Sequence, residues 1–156
     1  MREILFKAKR IDNGEWVERH YYKMSETTYC FKEDYKRNPV QEHHYILQER
    51  MTDWGLPNQV VQIEINPETL CQFTGLCDKN VNRIWENDIV NYNGKYASIK
   101  FGMYCSSSGY GNYNLGFYVD FPGETLYRKE LGYWHEKVEV VGNIFDNPEL
   151  LQEDTE

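Results

Sequence analysis

The sequence predicts a mostly β protein, α+β by class, with an N-terminal β-rich part, a small SH3-like barrel after it, and short helical turns. Three observations carry this. Short runs alternate apolar and polar residues with period two and are closed by tight-turn signals. Thirteen Tyr and four Trp stand in 156 residues against only four Met, a composition suited to strands and half-buried surfaces. Helix-start signals of the cap-then-proline kind occur at two places, each with room for about one turn.

In the first part, Ile4, Phe6 and Ala8 alternate along an opening strand. Asp12-Asn13-Gly14 supplies a hairpin turn, and Glu15–Lys23 returns as the second strand. Thr27–Phe31 is rich in β-formers, while the charged run 32–40, closing in Asn38-Pro39, reads as a loop. His43–Glu49 reads as a further strand, and 53–59 as a loop around Gly55 and Pro57. Val60–Ile65 is the cleanest strand: Val61, Ile63 and Ile65 face one way, Gln62 and Glu64 the other. Asn66-Pro67-Glu68 then places a cap, a proline and an acid in the order a helix start requires. The expected boundary follows it, giving parts 1–68, 69–147 and a tail 148–156.

The second part opens with 70–92, where turn residues and large apolar side chains alternate. Ile89–Tyr92 and Lys95–Phe101 flank Asn93-Gly94, a second two-residue hairpin signal, and Ala97, Ile99 and Phe101 share a face. Residues 103–116, rich in Gly, Ser and Tyr, read as a loop. Strands are expected at Phe117–Phe121, Thr125–Leu131 and Val138–Phe145, and a last cap-then-proline turn at 146–151. About five short strands within this span have the rhythm of a small barrel.

Charge and cysteine content narrow the function. Residues 1–68 carry 10 basic and 12 acidic side chains, 69–147 carry 7 and 9, and 148–156 carry none and 4. Half of the net charge of -8 therefore belongs to the last nine residues, and the body lacks the clustered basic face that duplex binding needs. The four cysteines (Cys30, Cys71, Cys77, Cys105) form no C-x-x-C pair and read as reduced thiols, with no metal site. His43 and His44 are adjacent and face opposite sides of a strand; His20 and His135 stand apart. No nucleophile elbow, phosphate loop or cofactor fingerprint is present. No run approaches the ~18–20 apolar residues of a membrane helix, and the charged opening lacks a signal-peptide core.

Four blocks carry a family resemblance: 2–9 with Asn13-Gly14-Glu15-Trp16-Val17; 61–69; Gln72-Phe73-Thr74-Gly75-Leu76 and Asp78-Lys79-Asn80 running into Ile84-Trp85-Glu86 and Asp88-Ile89-Val90; and 140–151. Together they resemble the YopX-like family of phage and prophage proteins over nearly the whole chain. Gly75, Asp78, Trp85, Asp88, Gly142 and Pro148 mark the motif. Asn87 stands where the family usually has Gly, Cys71 and Cys77 stand at positions the pattern does not reserve for thiols, and Val81-Asn82 replaces an Asn-Gly turn. Asn87 and Asn82 are expected to hold those turns, since Asn tolerates positive φ. The resemblance implies a phage or prophage accessory protein in the cytoplasm of a bacterial host, self-association, and no catalytic residues to transfer.

Read residue by residue, Asp88 is placed as a turn cap rather than as half of a carboxylate pair with Glu86, and Trp85 as a core plug. The binding candidates are Tyr104, Tyr110 and Tyr113, rigid aromatics on a small-residue backbone. The function expected is a non-catalytic protein-interaction module for a host or phage protein, with a homo-oligomer as a further expectation from exposed strand edges. The alternative is a small-barrel protein that binds nucleic acid or modulates its processing.

Overall fold

The computed structural model describes residues 3–105, 113–123 and 128–152. The chain divides into two units, Ile4–Leu70 and a second that begins at Cys71.

The first unit is an antiparallel sheet in the order β4-β3-β2-β1. Its strands are β1 (Phe6–Lys9), β2 (Trp16–Ser25), β3 (Glu42–Arg50) and β4 (Gln59–Glu64). The turn after β1 forms as Asn13-Gly14 requires: Gly14 takes φ 73° and its amide donates to the Arg10 carbonyl at 3.1 Å. Ala8, Ile46 and Ile65 form a fully buried cluster, with Phe6, Val17, Tyr21 and Leu70 packed around it. Asn66 caps the 3-10 turn Pro67–Thr69 by accepting from the Glu68 amide at 3.0 Å.

The charged run after β2 is not a loop throughout. Lys32–Arg37 forms a short helix, α1, with Glu33 and Asp34 in its first turn and Lys36 and Arg37 in its last. That order of charges matches the helix dipole, and Asn38-Pro39 ends it. Thr27–Phe31 forms no strand, despite its β-formers.

The second unit opens with a short ladder of β5 (Cys71–Cys77) and β6 (Arg83–Trp85). A four-stranded antiparallel sheet follows in the order β10-β7-β8-β9. It comprises β7 (Asp88–Tyr92), β8 (Lys95–Cys105), β9 (Tyr113–Asp120) and β10 (Glu139–Asn143). The Asn93-Gly94 turn has φ 51° and 86°, the pair of left-handed residues that a two-residue hairpin of this hand needs. The sheet is open: among the described residues β9 pairs with β8 and, through one bridge at Tyr118, with Glu130. The fold is thus mostly β with short helices, and the described pairings do not close it into a barrel.

Thr125–Leu131 does not end as a strand. Leu131 begins a one-turn helix, α2 (Leu131–Trp134), because burying Leu131 and Trp134 together calls for the i, i+3 spacing. One side of that turn enters the core, where Leu131 and Trp134 meet Ile84, Val90, Ile99, Val119 and Val138, and Gly132 and Tyr133 stay exposed.

The motif residues hold backbone. The Asp78 carboxylate accepts from the amides of Asn80 (2.9 Å), Asn82 (2.8 Å) and Val140 (2.9 Å) and from the Asn82 side chain (3.3 Å). Asp88 is 1% exposed and accepts the Trp85 amide at 2.8 Å. Trp85 is buried against Phe73, ring centroids 5.4 Å apart. Gly75 sits at φ 87° where the β5–β6 register is interrupted. Gly142 lies at a bulge in β10; a Cβ there would meet the Asn147 side chain at 2.3 Å. Pro148 opens the final 3-10 turn, Pro148–Leu151. Asn87 takes positive φ (66°) as expected, but in the preceding turn Val81 does so (φ 67°), not Asn82. The Asp78 side chain fixes the amides on both sides of Val81, so the branched residue is left with the strained conformation.

Candidate functional site

The β8–β9 hairpin carries an apolar face that continues beyond the core. Its register is one-to-one from Ser98↔Asp120 to Cys105↔Tyr113. Strand geometry sends alternate side chains to opposite faces. One face therefore carries Ala97, Ile99, Phe101, Met103 and Cys105 on β8, and Val119, Phe117, Leu115 and Tyr113 on β9. Ala97, Ile99 and Val119 are at most 1% exposed and belong to the core. The same face then runs out of the core with no change of chemistry. Phe101 is 52% exposed, Met103 70%, Leu115 71% and Tyr113 67%.

Beside this face lies a groove of about 520 Å³ within the second unit. Gln72, Thr74 and Leu76 of β5 form one side, Leu115 and Phe117 of β9 another, and Leu131 of α2 also lines it. Phe101 and Tyr104 complete the hairpin wall. None of its lining residues is Asp, Glu, Lys, Arg or His, in a chain of which 27% is charged.

Of the three tyrosines expected to bind, Tyr104 and Tyr113 lie in strands rather than in a loop, and Tyr110 lies outside the described residues. The strand reading of 103–105 and 113–116 follows from continued pairing. Met103↔Leu115 and Tyr104↔Asn114 extend the ladder that 95–101 begins. Tyr104 and Tyr113 project from opposite faces, so the structure does not gather them into one patch. Tyr104 is half-buried against Tyr118, ring centroids 5.3 Å apart. Burial, then the nearby Glu130 charge, pushes its hydroxyl above the usual tyrosine range. The residues that sequence reading missed are Met103 and Leu115. Their signal was the period-two continuation of Ile99 and Phe101 through a stretch whose Gly and Ser content suggested a loop.

The two adjacent histidines are engaged locally. His43 bridges Glu64 through Nδ1 (2.6 Å) and Glu26 through Nε2 (2.8 Å), and His44 meets the Tyr21 hydroxyl at 2.7 Å. Among the described residues no group of three His, Cys, Asp or Glu is placed to hold a metal ion, and all four cysteines are free thiols. No described helix is long and apolar enough to cross a membrane.

The YopX protein family model matches residues 5–152. The chain belongs to the YopX protein family. Comparison with solved structures also matches this YopX family member to protein EF1440 from Enterococcus faecalis, at 20% sequence identity and a TM-score of 0.46, over 97% of this chain and all of the other. Comparison with curated proteins gave no match. The family motif and the hairpin face fall on different residues. Asp78, Trp85, Asp88 and Gly142 shape the turns and core of this YopX protein, and the exposed face lies on β8 and β9.

Proposed function

We propose that this YopX family protein is a non-catalytic interaction module of phage or prophage origin. It acts in the bacterial cytoplasm and binds a host or phage protein through the uncharged face of the β8–β9 hairpin. The observation that carries this reading is the exposed apolar run of Phe101, Met103, Leu115 and Tyr113. Contiguous apolar surface on a soluble domain is characteristic of contact sites, and aromatic residues and Met are enriched in the cores of protein interfaces. Nucleic acid is the less favoured partner, because phosphate recognition needs clustered cations and this face has none.

The test uses the full chain as bait in bacterial lysate, beside a variant carrying Met103→Ser and Tyr113→Ser. These two positions lie outside the groove lining and are largely exposed. The reading expects one stoichiometric protein that the variant fails to retain. Equal retention by both baits, or tight DNA binding that weakens steeply with salt, would overturn it.

A further inference from the structure

The outer edge of β9 says what form a partner of the hairpin takes. The β8–β9 register runs one-to-one from Ser98↔Asp120 to Cys105↔Tyr113. Backbone groups along β9 therefore point alternately to β8 and to the outer edge. The parity is set at Val119, whose amide donates outward to the Lys129 carbonyl at 2.9 Å. Leu115 and Tyr113 share that parity, so their N–H and C=O groups turn away from β8. Those of Asn114 and Gly116 turn toward it, opposite Tyr104 and Gly102.

The chain itself begins to pair with this edge and then stops. Lys129 and Glu130 run antiparallel to β9, with a bridge between Glu130 and Tyr118. At Leu131 the backbone turns into α2. Among the described residues no strand pairs with the outer edge of β9 from Tyr113 to Gly116. The groove of the second unit lies at that break: Leu115, Gly116 and Phe117 line it together with Leu131 and Gly132. Successive strand residues face opposite ways, so a wall made of three in a row is the edge of β9 rather than one of its faces. Gln72 and Thr74 of β5 add neutral polar side chains, and the lining has no ionisable group beyond the Tyr104 hydroxyl.

Unpaired N–H and C=O groups on a strand edge are a template for a further strand. In such additions main-chain hydrogen bonds give affinity and alternate side chains give specificity. A strand laid on this edge sets every second side chain beside Leu115 and Tyr113, with Cβ atoms about 4.5–5.5 Å apart. A charged group there would lose hydration with no counter-charge to meet it.

We propose that the partner adds an extended strand to the outer edge of β9 at 113–117, in the line that Lys129 and Glu130 begin. Its chemistry is an uncharged segment with apolar side chains at alternate positions. This rests on the reading of the protein as an interaction module and names the form in which its partner binds.

The probe is a capped synthetic peptide that alternates threonine with valine and leucine, added to the full chain while amide hydrogen exchange is followed by NMR. Exchange should slow at the Leu115 and Tyr113 amides at least about tenfold, the change that ~1.4 kcal/mol represents, and stay unchanged at Asn114 and Gly116. The same peptide with glutamate for each valine should bind at least about tenfold more weakly. Two variants separate the edge from the side chain. Leu115→Pro removes the outward N–H where an edge strand tolerates proline, and Leu115→Val keeps it. Affinity for the peptide should fall at least about tenfold in the first and less than about threefold in the second. The exchange pattern of the native chain decides even where Leu115→Pro unfolds. No binding of the peptide, slowing without the alternation, equal binding of the glutamate peptide, or equal affinity in two folded variants overturns the proposal. So does concentration-dependent protection of Leu115 and Tyr113 without peptide, which would assign the edge to a second copy. Failure here while the Met103 and Tyr113 variant still loses a captured protein would remove the strand mode and leave the module reading standing.

Discussion

The two units solve the same problem, a small antiparallel sheet, by different means. In the unit that begins at Cys71, order is imposed from inside. Nine buried side chains form one cluster, and the carboxylates of Asp78 and Asp88 hold backbone amides of neighbouring segments. In the unit Ile4–Leu70, the ladder β4-β3-β2-β1 is laced at its surface. His43 joins Glu26 and Glu64, and Lys23 meets Glu42 at 2.7 Å. Each unit is therefore sensitive at a different depth. Buried groups cannot be replaced by water, so deleting them is costly; exposed pairs exchange readily with solvent and contribute little.

The largest expected effect is at Trp85. Trp85→Ala removes a ring that is 5% exposed and should cost about 3–5 kcal/mol in urea unfolding. A loss below ~1 kcal/mol would show that the second unit does not depend on its buried side chains. Asp78→Ala comes next. It leaves the Asn80, Asn82 and Val140 amides without their acceptor and should cost about 3 kcal/mol. Burial pushes the Asp78 carboxyl up, but hydrogen bonds from Val140, Asn82 and Asn80 outweigh it and hold it below the usual aspartate range. Its folded value is thus depressed. The contribution is present above about pH 3.9 and is lost as the pH falls through the lower folded value. Native Asp78 should therefore lose its advantage over the alanine variant in acid.

Val81 sharpens the picture from the other direction. It is 81% exposed and holds a left-handed conformation that costs a branched residue roughly 1–2 kcal/mol. Val81→Asn should raise stability by about 1 kcal/mol, and a neutral or destabilising result would mean that the turn does not constrain the residue.

The smallest effect is expected at the surface clamp of the first unit. Hydrogen bonds that its ring donates to Glu64 and then Glu26 hold the His43 imidazolium above its ordinary range. Bonds from both ring nitrogens to carboxylates require the doubly protonated ring. The other groups around it are Tyr45, stacked at 6.1 Å, and the Lys23–Glu42 pair on the adjoining strands. Because the folded value is raised, the clamp is fully present below about pH 6.5 and is lost as the pH rises through the folded value. In a proton NMR titration, Glu64→Gln should move the His43 midpoint down toward 6.5, with little change in unfolding midpoint. An unmoved midpoint would show that the clamp does not form.

Much of the local structure was legible from residue type. Asn93-Gly94 dictated a tight hairpin, Val60–Ile65 a strand with one buried face, and Asn66-Pro67 a capped turn, because each depends on φ preferences and on side chains within a few positions. The run 32–37 carried its helix signal in the order of its acids and bases, which a reading of charge as solvation passes over. The hairpin face was harder. Gly and Ser flank Met103 and Leu115 in sequence and argue for a loop, and only pairing across the ladder makes those positions strand. Likewise Tyr104 and Tyr113 look alike in sequence, and the parity of the register sets them on opposite faces.

By itself the sequence determined the class of fold, the turns and the family, since turn chemistry and period-two patterning act between near neighbours. The tertiary structure alone decided which turn residue bears the strain at Val81, and which side chains continue the core into solvent. Those outcomes depend on strands brought together from distant parts of the chain, where register and burial, not local propensity, set what each side chain meets.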